Sequence, residues 1–330
     1  MSNDWNWTVD LGSAQGVGQR SPAPRPKEYP HDAGFLSDSV EAFRTARSGE
    51  YCIWIVSPPG YSHSRCFEEV ALSFQAAFLE LGYRVPVVSD PALVQGRAIV
   101  LGPHLLPRIP APSLRDRMIL FNLEQVSESS SWMTEEYRGL LKEHCVWDYS
   151  NNNIRTLADM GITGVTLCPI GYSPALSRIE PASNPDIDVL FIGSLNKRRR
   201  QVLNGLIAKG IDARWGFNIY GRERDAALSR AKLILNMHMY DAKVFEIVRV
   251  SYLLANRMCV VSETGSDPEL ESRFCPGVAF TDIGEIPEVC ESLLKDQVAR
   301  QRLKDEGFRI FSSMTQREFL QSALEHSGIG

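Results

Sequence analysis

Four consecutive cations, Lys197-Arg-Arg-Arg200, follow the run Asp188-Val-Leu-Phe-Ile-Gly193-Ser-Leu-Asn196. The pattern reads as a buried strand, a small-residue turn and the first turn of a helix. A helix N-terminus already carries partial positive charge, so cations normally avoid it. These four repel the dipole and one another unless an anion is present. A diphosphate resolves the conflict, taking backbone N–H groups and guanidinium contacts together. The plainer alternative is a solvated basic face.

A second constellation lies in Phe245–Glu263, a helix leading into a buried strand. Glu246 and Arg249 stand at i, i+3 on one polar edge, where an ion pair is worth a few tenths of a kcal/mol. A Glu opening a helix at the carboxyl end of a strand also suits vicinal hydroxyls, such as those of a ribose. Tyr220-Gly-Arg-Glu-Arg224 holds a turn and a helix start. Its arginines close either on a phosphate or on the intervening Glu. No G-x-G-x-x-G or G-x-x-x-x-G-K-[ST] follows the first strand of either half, which disfavours dinucleotide oxidoreductases and P-loop NTPases. No G-x-S-x-G elbow occurs either.

These groups must be held by strands and helices, and the periodicity supplies them. Tyr51-Cys-Ile-Trp-Ile-Val-Ser57 is a buried-type strand, and Phe67, Val70, Ala71, Phe74, Phe78 and Leu81 mark a helix that Gly82 stops. Arg84–Val88 resumes as a strand, completing one β-α-β unit. Short apolar strands recur at Ala98–Leu101, Met118–Phe121, Cys145–Trp147 and Val165–Leu167, with helices near Glu135–Leu141 and Asn153–Ala158. After a proline-rich seam a second series opens at Asp188. It continues through a helix to Lys209, strands near Ala213–Phe217, Leu233–Asn236 and Cys259–Val261, and helical periodicity at Ile286–Leu294 and Val298–Leu324. Alternating strands and helices predict parallel sheets covered on both faces. The expected division is a tail or strap over 1–50, a first Rossmann-like domain over 51–172, a linker over 173–185, a second domain over 186–296, and a C-terminal helix over 297–330 packing back on the first.

Composition narrows the function. The 330 residues carry a net charge of −5, which disfavours a generally basic nucleic-acid binder. That average hides an imbalance, because Asp186–Val250 holds 12 Lys and Arg against 7 Asp and Glu. Seven cysteines, an odd number with no C-x-x-C pair, fit neither structural zinc nor a disulfide framework. The first residues lack the basic start and apolar core of a signal peptide, and no apolar stretch approaches the ~20 residues of a membrane span. The expectation is a cytoplasmic protein, with peripheral membrane contact left open.

The second half resembles the donor-binding domain of bacterial GT-B fold glycosyltransferases. Asp188–Arg200 is similar to the strand and loop that open that domain. Glu246, Leu253-Leu-Ala255 and Val260-Val261 are similar to a pattern in alpha-1,3-fucosyltransferases and related retaining enzymes. Two departures stand out: Asn256-Arg257 replaces the family's glycine before that strand, and His238 stands eight residues before Glu246 where many retaining members carry a second Glu. The resemblance implies an α/β, two-domain GT-B architecture with a central cleft and a nucleotide-diphosphate sugar as donor. Gly193, Ser194, Asn196, Arg198 and Arg199 would face its diphosphate, Glu246 its ribose, and Arg249 a phosphate or its own helix. Tyr220 and Arg224 would border the nucleotide. His238 would touch the sugar or satisfy a backbone group.

The first half would then supply the acceptor side. His63, in the loop after the first strand, suits proton removal from a hydroxyl, although a loop histidine without a role fits the pattern as well. Glu124, after another strand, is the rival base. Asp148 reads as a helix cap or turn residue, and Tyr172 is expected to face the cleft. No D-x-D motif follows a strand, so neither a metal nor a cofactor is expected, and cations would neutralise the leaving diphosphate. The expected function is transfer of a sugar to a hydroxyl-bearing acceptor (glycan, lipid-linked or small molecule). The alternatives are an inactive nucleotide or sugar-phosphate binding module and a sugar-nucleotide epimerase.

Overall fold

A computed structural model describes residues 45–109, 117–127, 130–240 and 242–328. Most of the expected strap, residues 1–44, lies outside the described residues. Two parallel sheets form the body. In the first, β1 (Tyr51–Ile55), β2 (Val87–Val88), β3 (Arg97–Leu101), β4 (Met118–Asn122), β5 (Cys145–Asp148) and β6 (Thr166–Leu167) lie in the order β2-β1-β3-β4-β5-β6. Its helices are α1 (Glu68–Glu80), α2 (Glu135–Glu143) and α3 (Asn151–Asp159). Ile53 sits opposite Ile99 in the register.

The second sheet contains β7 (Ile187–Ile192), β8 (Ala213–Gly216), β9 (Ala231–Asn236), β10 (Val260–Glu263) and β11 (Val278–Thr281), ordered β8-β7-β9-β10-β11. Around it lie α4 (Lys197–Ala208), α5 (Gly221–Ser229), α6 (Ile247–Ala255), α7 (Pro268–Phe274), α8 (Ile286–Lys295) and α9 (Gln297–Ser312). The last helix, α10 (Gln316–His326), packs on α1 of the first domain. The single helical stretch expected over Val298–Leu324 is thus two helices. The chain breaks at Ser313–Thr315, and the Thr315 hydroxyl caps α10 by accepting from the Glu318 N–H at 3.3 Å.

The strands are apolar at nearly every position because both sheet faces are covered. Successive residues of β1 enter different cores. Cys52 and Trp54 join Val100, Leu120, Tyr137 and Leu141 on one face. Tyr51, Ile53 and Ile55 join Phe74 and Phe78 on the other. That second core continues without a break into the second domain through Leu190, Ile234 and Val260, which ties the two halves together. In each sheet the strand order reverses beside the first strand, so a crevice opens at the carboxyl ends of β1 and β3 and of β7 and β9.

Two expectations are corrected here. Tyr172 does not face the cleft: its ring packs edge-on against Phe308 and Phe311 of α9 at 5.7 and 5.9 Å. Of the two roles expected for Asp148, turn residue holds, since its carboxylate accepts the Ser150 N–H at 2.8 Å, and helix cap does not. Asp148 is fully buried at the end of β5, and the Ser150 hydroxyl caps α3 instead, accepting from the Asn152 N–H at 3.1 Å. The glycine missing before β10 has a backbone counterpart, since Arg257 takes φ +51°, the left-handed conformation that glycine favours.

Candidate functional site

The two crevices face each other across one cleft of about 340 Å³. Nine of the twelve sequence-selected residues line it: His63 and Glu124 from the first domain, and Gly193, Ser194, Arg199, Tyr220, Arg224, Glu246 and Arg249 from the second. Asn196, Arg198 and His238 lie beside or beneath it rather than on its wall.

The opening of α4 shows how its four cations are tolerated. Asn196 caps the helix, its side-chain oxygen accepting from the Arg199 N–H at 3.0 Å. Arg198 ion-pairs with Glu263 of β10, a carboxylate only 1% exposed that also lies 3.1 Å from Lys243 Nζ. Arg199 turns toward the sheet, is 1% exposed, and donates to the carbonyls of Ser194 (2.7 Å) and Met237. Burial, then the neighbouring charge of Arg249, pushes its pKa down to about 10. Glu263 therefore supplies an anion that relieves the helix start from within. Gly193 takes φ +153°, and a Cβ there would lie 3.2 Å from the Phe191 ring and 3.7 Å from an Arg249 nitrogen.

Glu246 and Arg249 meet through a third residue. Asn236, at the end of β9, donates to Glu246 Oε2 at 3.0 Å and accepts from Arg249 Nη1 at 3.1 Å. Glu246 stands just before α6 and also receives His238 Nδ1 (3.1 Å) and Gln125 Nε2 (3.2 Å). Burial raises the Glu246 pKa, but the His238 bond and charge, Arg249 and Asn236 outweigh it and hold the carboxyl below its ordinary value. Among the described residues, no carboxylate lies within 4.0 Å of Arg249. It lines the cleft without direct contact to a carboxylate, although its charge helps to keep Glu246 ionised.

On the opposite wall, the Glu124 carboxyl is pushed up to about 7 by burial. His104 Nε2 lies 3.8 Å away and brings no charge at neutral pH, because burial, aided by Arg108, lowers its pKa to about 4. His63 Nδ1 contacts the Tyr220 hydroxyl at 2.9 Å, joining the two domains. Arg224 is engaged with Glu69 (2.7 Å) and Asp225 (2.8 Å). Phe217, Met239 and Tyr240 line the cleft with 46%, 38% and 38% exposure, three exposed large apolar side chains at one site.

The sequence places Gln125, Asn236 and Glu263 at or just after strand ends but assigns none of them a partner. Gln125 adjoins Glu124, and Asn236 and Glu263 end strands, so position at a strand's carboxyl end was the available signal. Among the described residues, no group of three or more His, Cys, Asp or Glu is arranged to hold a metal ion. No described helix is long and apolar enough to cross a membrane.

No protein-family model matches the chain. Uncharacterized protein R358 of Acanthamoeba polyphaga mimivirus is 26% identical over 214 residues, covering 62% of this chain and 72% of that protein. Uncharacterized protein L140 of the same virus is 25% identical over 190 residues, covering 54% of this chain. The match spans only 59% of the length of L140. Among solved structures, Anabaena Alr3699/HepE in complex with UDP and glucose superposes with a TM-score of 0.60 at 11% identity, over 84% of this chain and 99% of that one. WaaG, a glycosyltransferase involved in lipopolysaccharide biosynthesis, gives 0.53 at 10% identity over 86% and 100%. Sucrose-phosphate synthase from Thermosynechococcus elongatus gives 0.52 at 12% identity over 85% and 98%. The architecture of this chain is therefore the α/β GT-B fold, two Rossmann-like domains facing a central cleft.

Proposed function

We propose that this chain transfers a sugar from a nucleoside-diphosphate sugar to a hydroxyl-bearing acceptor, in the assembly of a glycan or glycoconjugate. The observation that carries the reading is the pairing of opposite walls. A cation in direct contact with no described carboxylate, Arg249, lies at the carboxyl ends of β7 and β9, and a carboxyl raised by burial to about 7, Glu124, lines the same cleft from the first domain. HepE, of the same fold, is solved with UDP and with UDP-glucose.

In this reading the second domain holds the donor and the first the acceptor. Glu124, when ionised, takes the proton of the acceptor hydroxyl, and the acceptor oxygen bonds to the anomeric carbon. The bond from that carbon to the diphosphate breaks, and the released negative charge is met by Arg249 and the Ser194 N–H. His63, held by Tyr220, sits beside this centre as a cleft-wall and domain contact. A cation clamp, not a metal ion, neutralises the leaving group, so transfer should continue in excess EDTA.

Calorimetry with UDP-, GDP- and dTDP-sugars tests the donor site, followed by turnover of whichever binds. One of them should bind and lose affinity in Arg249→Ala. If none binds, the donor assignment fails. Binding without turnover in any acceptor screen, and without donor hydrolysis, would leave a nucleotide-binding module.

A further inference from the structure

Beneath Glu124 lies a closed set of buried polar groups that the proposed chemistry does not use. Asp148 is fully buried, as are Asn122 and Asn153. Asn122 Nδ2 donates to Asp148 Oδ2 at 2.6 Å and to the Glu124 carbonyl at 2.9 Å. Asn153 Nδ2 donates to Asp148 Oδ1 at 3.1 Å and to the same Glu124 carbonyl at 3.0 Å. The side-chain oxygen of Asn153 accepts from the Val126 N–H at 3.0 Å, and that of Asn122 from the Tyr137 hydroxyl at 3.1 Å. Both protons and the oxygen of each amide are thus engaged.

We propose that Asp148 is a positioning residue: through Asn122 and Asn153 it clamps the Glu124–Val126 turn at its first carbonyl and its last N–H. The clamp fixes the Glu124 carboxyl in the cleft wall, and with it Gln125, whose side chain crosses to Glu246 and to the Val244 N–H. The clamp's catalytic meaning rests on the reading of Glu124 as the base.

The chemistry requires an acceptor at 148. Its carboxylate oxygens receive the two amide groups and the Ser150 N–H at 2.8 Å, so every neighbour donates. An asparagine there would set its own NH₂ against one of them and lose at least one bond. The Glu124 carboxyl faces His104 and lies within electrostatic reach of Tyr61, Cys66, Tyr137, Tyr149 and Tyr240, none of them charged at neutral pH. Its position in the wall, held by the clamp, therefore sets its titration.

The test follows the Glu124 carboxyl by ¹³C NMR titration, with Glu124→Gln identifying the resonance. Asp148→Asn and Asn153→Ala should each lower its midpoint by about one unit or more, as the freed turn further exposes a side chain that is 25% exposed in the wall. Asn153→Ala changes no charge, so a shift in Asp148→Asn alone would mean bare electrostatics and would overturn the clamp. So would an unmoved midpoint in both. A turnover cycle with UDP-glucose adds the catalytic arm: Asp148→Asn should lower kcat in the native background and not further in Glu124→Gln. Equal losses in both backgrounds would also overturn the clamp. Full turnover in Glu124→Gln would instead remove Glu124 as base, with the titration still deciding the clamp.

Discussion

Arg224 Nη2 lies 2.7 Å from Glu69 Oε1, joining α5 of the second domain to α1 of the first, with both side chains almost closed to solvent (13% and 12% exposed). The guanidinium also covers the Tyr252 ring at 4.1 Å. Burial opposes the charge of Arg224, but Glu69 more than offsets this and raises its pKa. The interaction ties the domains together at the edge of the cleft. Removing one partner leaves the other charge poorly compensated, so Glu69→Ala and Arg224→Ala should each destabilise by about 1–3 kcal/mol. A double-mutant cycle by urea denaturation should show strong coupling. Additive losses would mean that the pair does not join the domains energetically.

The two inward arginines should fail in different ways. Arg249→Ala removes a cation in direct contact with no described carboxylate. Nucleotide-sugar affinity should fall by about 1.5–3 kcal/mol, the usual worth of a charge-assisted hydrogen bond, with a stability loss confined to the one buried acceptor left behind, Asn236 Oδ1. Arg199→Ala instead leaves the carbonyls of Ser194 and Met237 unpaired, at about 1–3 kcal/mol each, and should lower the melting temperature first. Calorimetry and thermal melts on both variants decide this. Equal melting temperatures with equal losses of binding would place both on the ligand.

Activity and stability should run in opposite directions near neutrality. Glu124 is pushed up to about 7 by burial, from an ordinary value of 4.5. The folded state holds this proton where the unfolded chain has released it. Its stabilising contribution is complete below the unfolded value and disappears as pH rises through about 7. The base requires the ionised form, so kcat/KM should climb to a plateau above about 7 and lose that limb in Glu124→Gln. An unchanged pH profile in that variant would exclude Glu124 as the titrating base.

Much of this was legible along the chain. Strands such as Tyr51–Ile55, apolar at every position, can only be buried on both faces, and parallel connections then place function at their carboxyl ends. Gly193 and Glu246 stand out that way, and Arg249 by its i, i+3 spacing from Glu246. What periodicity could not show was how side chains are spent. Arg198 and Arg199 look alike in sequence, yet one helical step sends the first to Glu263 and the second beneath the Ser194 carbonyl. Gln125 and Glu246 are 121 residues apart, and no local pattern announces their contact. Tyr172 reads as a strand-end aromatic, and only the return of the C-terminal helices gives it Phe308 and Phe311 as partners.

Phe217 is 46% exposed at the cleft and packs against the His63 ring at 5.4 Å. An exposed aromatic on a binding wall contributes more to a ligand than to the fold. Phe217→Ala should change stability by less than about 0.5 kcal/mol while raising KM several-fold. A loss of stability without any change in KM would make it a packing residue.

Gly265 governs the loop that delivers Glu246. A Cβ there would stand 2.0 Å from the Lys243 carbonyl and 2.7 Å from His238 Nε2, distances no side chain can occupy. The same carbonyl accepts from the Ser266 N–H at 2.9 Å, so the loops after β9 and β10 are locked backbone to backbone. His238 in turn holds Glu246. Gly265→Ala must therefore displace either the Lys243 backbone or the imidazole, and both movements reach Glu246. The expected cost is about 1–3 kcal/mol, as for other overpacked sites, together with a clear drop in nucleotide-sugar affinity. Gly284→Ala is the control, because a Cβ there meets nothing within 4 Å. If Gly265→Ala melts and binds like Gly284→Ala, the two loops are not locked, and Glu246 is held by its side-chain partners alone.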